Sequence, residues 1–153
     1  MLVICGLGCD PQRETTLEAL AALSGCVSRF SDAKPATRAW LARRTGPVKA
    51  ARDAATVVAA AREGLCGLAV WGHPTVTSTF AREVLAAAAK AGVEVVVLPG
   101  ITPISHAMSA GARALGWRRD EDSGWTAAPV NEASGAFPVA SFDSAAEEVR
   151  VRG

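Results

Sequence analysis

Short apolar runs alternate with helix-forming segments along most of the chain. Residues 2–5, 67–71 and 93–98 are almost entirely apolar and end at glycine or proline, which predicts strands that are buried on both faces. Between the last two runs, residues 79–91 consist largely of strong helix formers and are followed by Gly92, a common way for a helix to end. The order strand, helix, strand predicts a parallel βαβ unit.

The same pattern extends to both sides of this unit. It predicts a further strand at 26–30, helices at 15–23, 34–44, 49–63 and 105–115, and one strand-like piece at 136–142. Residues 118–124 are mostly charged, so we predict an α/β domain at 1–117 and a charged linker with a short C-terminal arm at 118–153. The predicted fold is a single three-layer α/β domain with a mainly parallel sheet.

Length and charge narrow the classes of partner. The 153 residues fit one domain of ordinary size, and no apolar run approaches the ~20 residues of a membrane span. The N-terminus enters a strand with no basic leader, so we expect a cytoplasmic protein without a membrane partner. Sixteen basic and fifteen acidic residues leave a net charge of +1, which removes the main electrostatic argument for nucleic acid. Small-molecule or protein partners are favoured.

The four cysteines contain no CxxC pair, and three of them lie in or beside apolar runs. This pattern favours buried free thiols over a metal site or a disulfide. We therefore expect no metal.

Gly6 and Gly8 form a glycine-rich turn between the first strand and the first helix. Such a turn is typical of a dinucleotide site, where the backbone approaches a pyrophosphate, but Pro11 stands where the third glycine would be. A structural tight turn and a phosphate site both remain open here, with NAD the weaker choice of ligand. Asp32, after the second strand, is a candidate for the ribose-binding acid of such a site, although an aspartate in a loop is common. Asp10 and Glu14 are candidates for contacting a ribose or for capping the helix, and capping is favoured.

Two further turns follow the strands of the βαβ unit. Gly72-His73-Pro74 comes after the first strand, and the stretch from Pro99 to Thr102 comes after the second. In open α/β sheets, ligands bind beyond the carboxyl ends of the strands. Both turns are therefore predicted to line a ligand site.

Taken in order, the turns at 6–8, 72–74 and 99–102 resemble the first domain of the tetrapyrrole methylase superfamily, whose members are methyltransferases dependent on S-adenosylmethionine (SAM). Gly-His-Pro, the stretch 32–41 and the stretch 131–134 are most similar to the borosin branch, which N-methylates peptide backbones. The resemblance implies SAM as cofactor and a peptide or small molecule as methyl acceptor. The cofactor-binding residues it implies are Gly6, Leu7, Gly8, Gly72, His73, Pro74, Thr75, Val76, Pro99, Gly100, Ile101 and Thr102.

Departures from the family pattern are also visible. Members normally have a second α/β domain, and this sequence is expected to reach only its start. The borosin tyrosines cannot be transferred, because the chain contains no tyrosine. His73 is the candidate catalytic base, since histidine titrates near neutrality; its alternative role is to fix the turn before Pro74.

Two functions follow from these observations. The first is a SAM-binding methyltransferase-like domain that acts with a partner subunit, and the alternative is a non-catalytic interaction module with a reduced methylase fold. An apolar surface that would face a second domain predicts a homodimer or a hetero-oligomer. The aromatic residues expected near that surface are Trp71, Trp117, Trp125, Phe137 and Phe142.

Overall fold

The computed structural model describes residues 1–114, 126–129, 139–143 and 148–152, with side chains described for 1–107 and for 109. It consists of two compact units, Met1–Thr102 and Pro103–Gly153. The predicted domain boundary after residue 117 lies outside the described residues, as do Trp117, Trp125 and Phe137.

The first unit is built on a five-stranded sheet in the order β3-β2-β4-β1-β5. Every neighbouring pair is parallel, so the predicted α/β fold with a mainly parallel sheet is confirmed. The strands are β1 (Leu2–Gly6), β2 (Ser28–Ser31), β3 (Lys49–Ala50), β4 (Cys66–Val70) and β5 (Val95–Leu98).

Helices cover both faces of this sheet and make the predicted three layers. They are α1 (Pro11–Glu14), α2 (Leu17–Gly25), α3 (Pro35–Thr45), α4 (Ala54–Glu63) and α5 (Thr79–Lys90). Alternate residues of β1 face opposite layers, because side chains alternate along a strand. Leu2 and Ile4 pack with the buried residues of α4 and α5, whereas Val3 and Cys5 pack with those of α2 and α3.

Local signals set the helix ends. The side chains of Thr16, Asp53 and Ser78 each accept a hydrogen bond from a first-turn N–H, at the starts of α2, α4 and α5. Gly46 and Gly92 have positive φ angles of +93° and +65° just after α3 and α5, where a left-handed glycine ends a helix.

The predicted helix at 49–63 is wrong at its start. Lys49–Ala50 form strand β3 instead, and the helix begins at Ala54. The Ala51 N–H donates to the Ser31 carbonyl at 2.9 Å, and Asp53 caps the helix that follows. Pairing with β2 therefore prevails over helix propensity in this segment. The sequence pattern gives no signal for the single turn of α1, because four residues are too few to show a helical period.

The second unit contains α6 (Pro103–Ala114), β6 (Thr126–Pro129), β7 (Val139–Asp143) and β8 (Glu148–Arg152). β7 pairs in parallel with β6 and antiparallel with β8, and α6 packs against β7 and β8. The expectation of a single strand-like piece at 136–142 is wrong, since three strands form. β6 has weak strand propensity, whereas the alternating Val149 and Val151 of β8 are an ordinary strand signal. Among the described residues, no helix is long and apolar enough to cross a membrane.

Candidate functional site

The turns predicted to bind a ligand lie at one edge of the first unit. β4, β1 and β5 are adjacent and parallel, so their carboxyl ends lie side by side. The segments after them are 7–10, 71–78 and 99–102. This is the edge where ligands bind in open α/β sheets.

Three glycines bring these segments into backbone contact. A Cβ added at Gly6 would lie 2.5 Å from the Gly100 nitrogen and 2.6 Å from the Gly72 oxygen. A Cβ added at Gly100 would collide with the same Gly72 oxygen. Real Cβ atoms do not approach backbone atoms this closely, so no side chain fits at either position. The last residue of β1 and the turns after β4 and β5 are thereby held against one another.

Gly8 and Gly72 form an antiparallel bridge across the same edge. The Gly72 N–H donates to the Gly8 carbonyl at 2.9 Å, and the Gly8 N–H donates back at 3.3 Å. Both have positive φ angles, +75° and +66°, which side-chain-bearing residues rarely adopt. A Cβ added at Gly8 would lie 2.5 Å from the Cβ of Glu14. The open side of Gly8 is therefore filled by Glu14.

Asp10 caps the short helix α1, whereas the predicted first helix, α2, is capped by Thr16. The Gln12 N–H donates to the Asp10 carboxylate at 3.2 Å. One carboxylate oxygen of Glu14, Oε2, accepts from the N–H of Cys9 at 2.6 Å and from that of Asp10 at 3.1 Å. The two carboxylates fix the turn after β1.

The His73 ring is held by its own turn. Nδ1 lies 3.3 Å from the backbone nitrogen of Thr75, which donates to it, and 3.2 Å from Thr75 Oγ1. An N–H group can only donate, so Nδ1 accepts and the proton of the neutral ring is assigned to Nε2. Thr77 Oγ1 accepts from the His73 N–H at 2.9 Å and lies 3.2 Å from the Trp71 carbonyl. The turn-fixing role of His73 is present in this geometry, and its catalytic role stays a prediction.

The remaining predicted site residues differ in exposure. Leu7 and Pro74 are fully buried, so their side chains belong to the core. Val76 and Ile101 expose 46% and 40% of their surface, although both are large and apolar. Thr75 and Pro99 are also exposed, and Thr102 is half-buried. The exposed members give this edge an apolar surface beside polar backbone.

Asp32, a possible ribose-binding acid by its position in the sequence but not one of the predicted site residues, also lies near this edge. It follows β2, next to β4 in the sheet, and its carboxyl group lies 3.5 Å from Ser78 Oγ. Asp32 as a whole residue is exposed, but burial of its carboxyl group raises the pKa of that group. Hydrogen bonds from its own backbone, from Ser78 and from the Trp71 backbone lower the pKa and only partly offset this rise. An acid directly after a buried strand was the signal available in the sequence.

Trp71 and Cys9 join two of the segments. The indole Nε1 of Trp71 donates to the Cys9 carbonyl at 3.1 Å. Burial, with a smaller effect of the Glu14 charge, raises the pKa of the Cys9 thiol to about 11, so it is protonated at neutral pH. All four cysteines are free; Cys5, Cys26 and Cys66 are buried, as predicted, and Cys9 is half-buried.

The fold and the sequence of this chain are similar to those of known proteins. The crystal structure of a conserved hypothetical protein from Aeropyrum pernix K1 matches with a TM-score of 0.66 and 19% sequence identity, over 93% of this chain and 57% of that chain. At this identity the match shows the fold alone, and the chain spans little more than half the length of that protein. No curated protein gave a significant match. The family model for Tetrapyrrole (Corrin/Porphyrin) Methylases matches residues 1–136. The chain therefore belongs to the tetrapyrrole (corrin/porphyrin) methylase family.

Proposed function

We propose that this chain binds SAM at the carboxyl edge of its parallel sheet and transfers the methyl group to a peptide or small-molecule acceptor, together with a partner subunit. Family membership supports SAM as the cofactor class. The observation that carries the proposal is the backbone contact among Gly6, Gly72 and Gly100. It holds the three candidate ligand-binding segments together in a fixed arrangement.

The residues at this edge fit SAM. The exposed side chains of Val76 and Ile101 offer apolar surface to an adenine ring. Glu14 of α1 places its carboxylate against the turn after β1, and Asp32 lies on the turn after β2. These acidic groups suit a cationic sulfonium and do not suit a phosphate. Backbone groups of the segments 71–76 and 99–102 would hold the rest of the molecule. SAM supplies an electrophilic methyl group, so no metal is required of the protein.

Two side chains are proposed to orient the methyl acceptor and to accept its proton. In the described tautomer the neutral His73 ring carries its proton on Nε2, so it would orient an acceptor by donating a hydrogen bond. For His73 to act as a base at Nε2, the ring would have to give up the bond from the Thr75 N–H. Asp32, with its raised pKa, is the second candidate for accepting a proton. Both roles are part of the proposal.

Calorimetry with SAM and S-adenosylhomocysteine tests the binding step. We expect saturable binding of both, and no heat from either at millimolar concentration would refute the proposal. For the transfer step, labelled SAM would be incubated with the products of neighbouring genes as acceptors. Asp32→Asn should then lower turnover by about 10²–10⁴-fold with near-normal S-adenosylhomocysteine affinity. Asp53→Asn, at an exposed helix cap, is the matched control.

The alternative is a non-catalytic interaction module that kept the fold. It is favoured by the absence of tyrosine and by the engagement of His73 Nδ1 within its own turn. A chain that binds S-adenosylhomocysteine, yet methylates no neighbouring product and co-purifies with one of them, would support this alternative. Assembly as a homodimer or hetero-oligomer in the cytoplasm is proposed with either function.

A further inference from the structure

The glycine turn has no N–H group to spare for a ligand. Each N–H in residues 7–14 has an acceptor within the chain, and Pro11 has none to donate. Leu7 and Gly8 donate to the carbonyls of Val70 and Gly72. Cys9 and Asp10 donate to the Glu14 carboxylate, Gln12 to the Asp10 carboxylate, and Arg13 and Glu14 to the Asp10 carbonyl.

A phosphate site at a glycine turn needs the opposite arrangement. Its N–H groups point outward at the anion, and its glycines clear a path for the phosphate. Here the carboxylate of Glu14 occupies the N–H groups of Cys9 and Asp10, with its Oε2 at 2.6 Å and 3.1 Å. The same oxygen would lie 2.6 Å from a Cβ at Gly8, so it also fills the space that this glycine leaves open. The protein's own anion stands where an external anion would bind.

We infer that Glu14 is a specificity-determining residue, which excludes phosphate-bearing nucleotides from this turn and leaves phosphate-free nucleosides as the ligand class. The inference rests on the proposed function and deepens it, because SAM is a nucleoside without phosphate. Glu14 acts in two ways: it takes the N–H donors of Cys9 and Asp10, and it fills the space beside Gly8. Asp10 adds a second carboxylate, but Arg13 Nε lies 3.6 Å from it and offsets its charge.

The test uses the full chain and calorimetry with S-adenosylhomocysteine, adenosine and ADP. The variants are Glu14→Ala, Glu14→Gln and a control, Glu18→Ala, which removes an exposed acid of α2. We expect the wild type to bind adenosine more tightly than ADP. Glu14→Ala should gain affinity for ADP by about tenfold or more, since two charge-assisted donors become available to phosphate. Glu18→Ala should leave the ratio of the ADP and adenosine affinities unchanged.

Glu14→Gln covers the case in which Glu14→Ala does not fold. Its neutral amide oxygen is a weaker acceptor than the carboxylate, so phosphate competes better for the two N–H groups. The ADP affinity should therefore rise, but by less than in Glu14→Ala. Unchanged ADP affinity in folded Glu14 variants, or an equal gain in Glu18→Ala, would overturn the inference. Failure of every variant and the wild type to bind S-adenosylhomocysteine and adenosine would instead refute the proposed function. The response of ADP affinity to the Glu14 substitutions would still decide the role of Glu14.

Discussion

Gly100 stands where even a methyl group has no room. Gly100→Ala would drive its Cβ into the Gly72 carbonyl and to 2.8 Å from the Gly6 carbonyl carbon. Because these neighbours are backbone atoms of a buried sheet edge, they cannot move aside cheaply. We expect the free energy of unfolding to fall by about 1–3 kcal/mol, as in other overpacked sites.

The control for this prediction is Gly25→Ala. Gly25 ends α2, and an added Cβ there meets no atom within 4 Å. Its stability should be unchanged or rise slightly, since alanine is the better helix former. Urea denaturation of both variants measures the difference, and equal losses would argue against a tight contact at Gly100.

Asp32 should make the folded protein less stable as the pH rises. Burial raises its pKa in the folded state, so the native protein keeps the proton to a higher pH than the unfolded chain does. The stabilisation that the folded state gains from holding this proton is complete below the pKa of the unfolded chain, near 3.8. It is lost as the pH rises through the pKa of Asp32 in the folded state. The free energy of unfolding of the wild type, relative to Asp32→Asn, should therefore decline as the pH rises above that value.

Asp53→Asn provides a comparison of opposite sign. Hydrogen bonds from Thr56 lower the pKa of Asp53 in the folded state. The ionised Asp53 carboxylate therefore stabilises the folded protein above pH 3.8, and this contribution is lost as the pH falls below that value through the folded pKa. Urea titrations between acid and neutral pH would show both slopes. A wild-type advantage over Asp32→Asn that grew with pH would mean that the Asp32 carboxyl is not buried.

Among the elements, the turn after β4 depends on one hydroxyl. Thr77 Oγ1 lies within hydrogen-bond distance of the His73 N–H and of the carbonyls of Trp71 and His73. Thr77→Val keeps the shape and removes these bonds, which leaves a half-buried N–H unpaired. We expect a loss of about 1–3 kcal/mol together with weaker binding of S-adenosylhomocysteine.

Thr75→Val is the matched control for the same turn. Its hydroxyl is exposed and has a single described partner, the His73 ring, and its backbone N–H still donates to that ring. Its stability should stay near wild type. Similar losses in the two variants would show that the turn does not depend on Thr77 in particular.

Elements with strong local signals could be predicted from the sequence. Apolar runs located β1, β4 and β5, and the stop at Gly92 located the end of α5. The start of α4 could not be predicted, because β3 forms only through its pairing with β2. Some features of the candidate site could likewise be predicted and others could not. The turns of the site follow from the strand ends. The close contact of Gly6, Gly72 and Gly100 and the burial of the Asp32 carboxyl could not be predicted, because they depend on segments far apart in sequence.

At the scale of the whole molecule, the sheet ends in an apolar strand. β5 is the outermost strand of the described sheet, and Val96 on it exposes 40% of its surface. An apolar edge strand invites pairing with another chain, and two-fold homodimers are the commonest oligomers. We therefore predict a homodimer at micromolar concentration by light scattering.

Val96→Lys should shift this dimer towards the monomer. The control is Val27→Lys, since Val27 is 79% exposed and precedes β2 rather than lying on an edge strand. A wild-type monomer, or equal dissociation in both variants, would contradict an interface at β5.

The closed hydrogen bonding of residues 7–14 also sets the local dynamics of the turn. Amide protons that already have acceptors exchange with solvent only when their segment opens. By hydrogen–deuterium exchange the turn should therefore be protected like the strand before it, whether or not a nucleoside is bound. A loop that is ordered before its ligand arrives loses little conformational entropy on binding. Fast exchange that slows only with S-adenosylhomocysteine would indicate instead a turn that folds around its ligand.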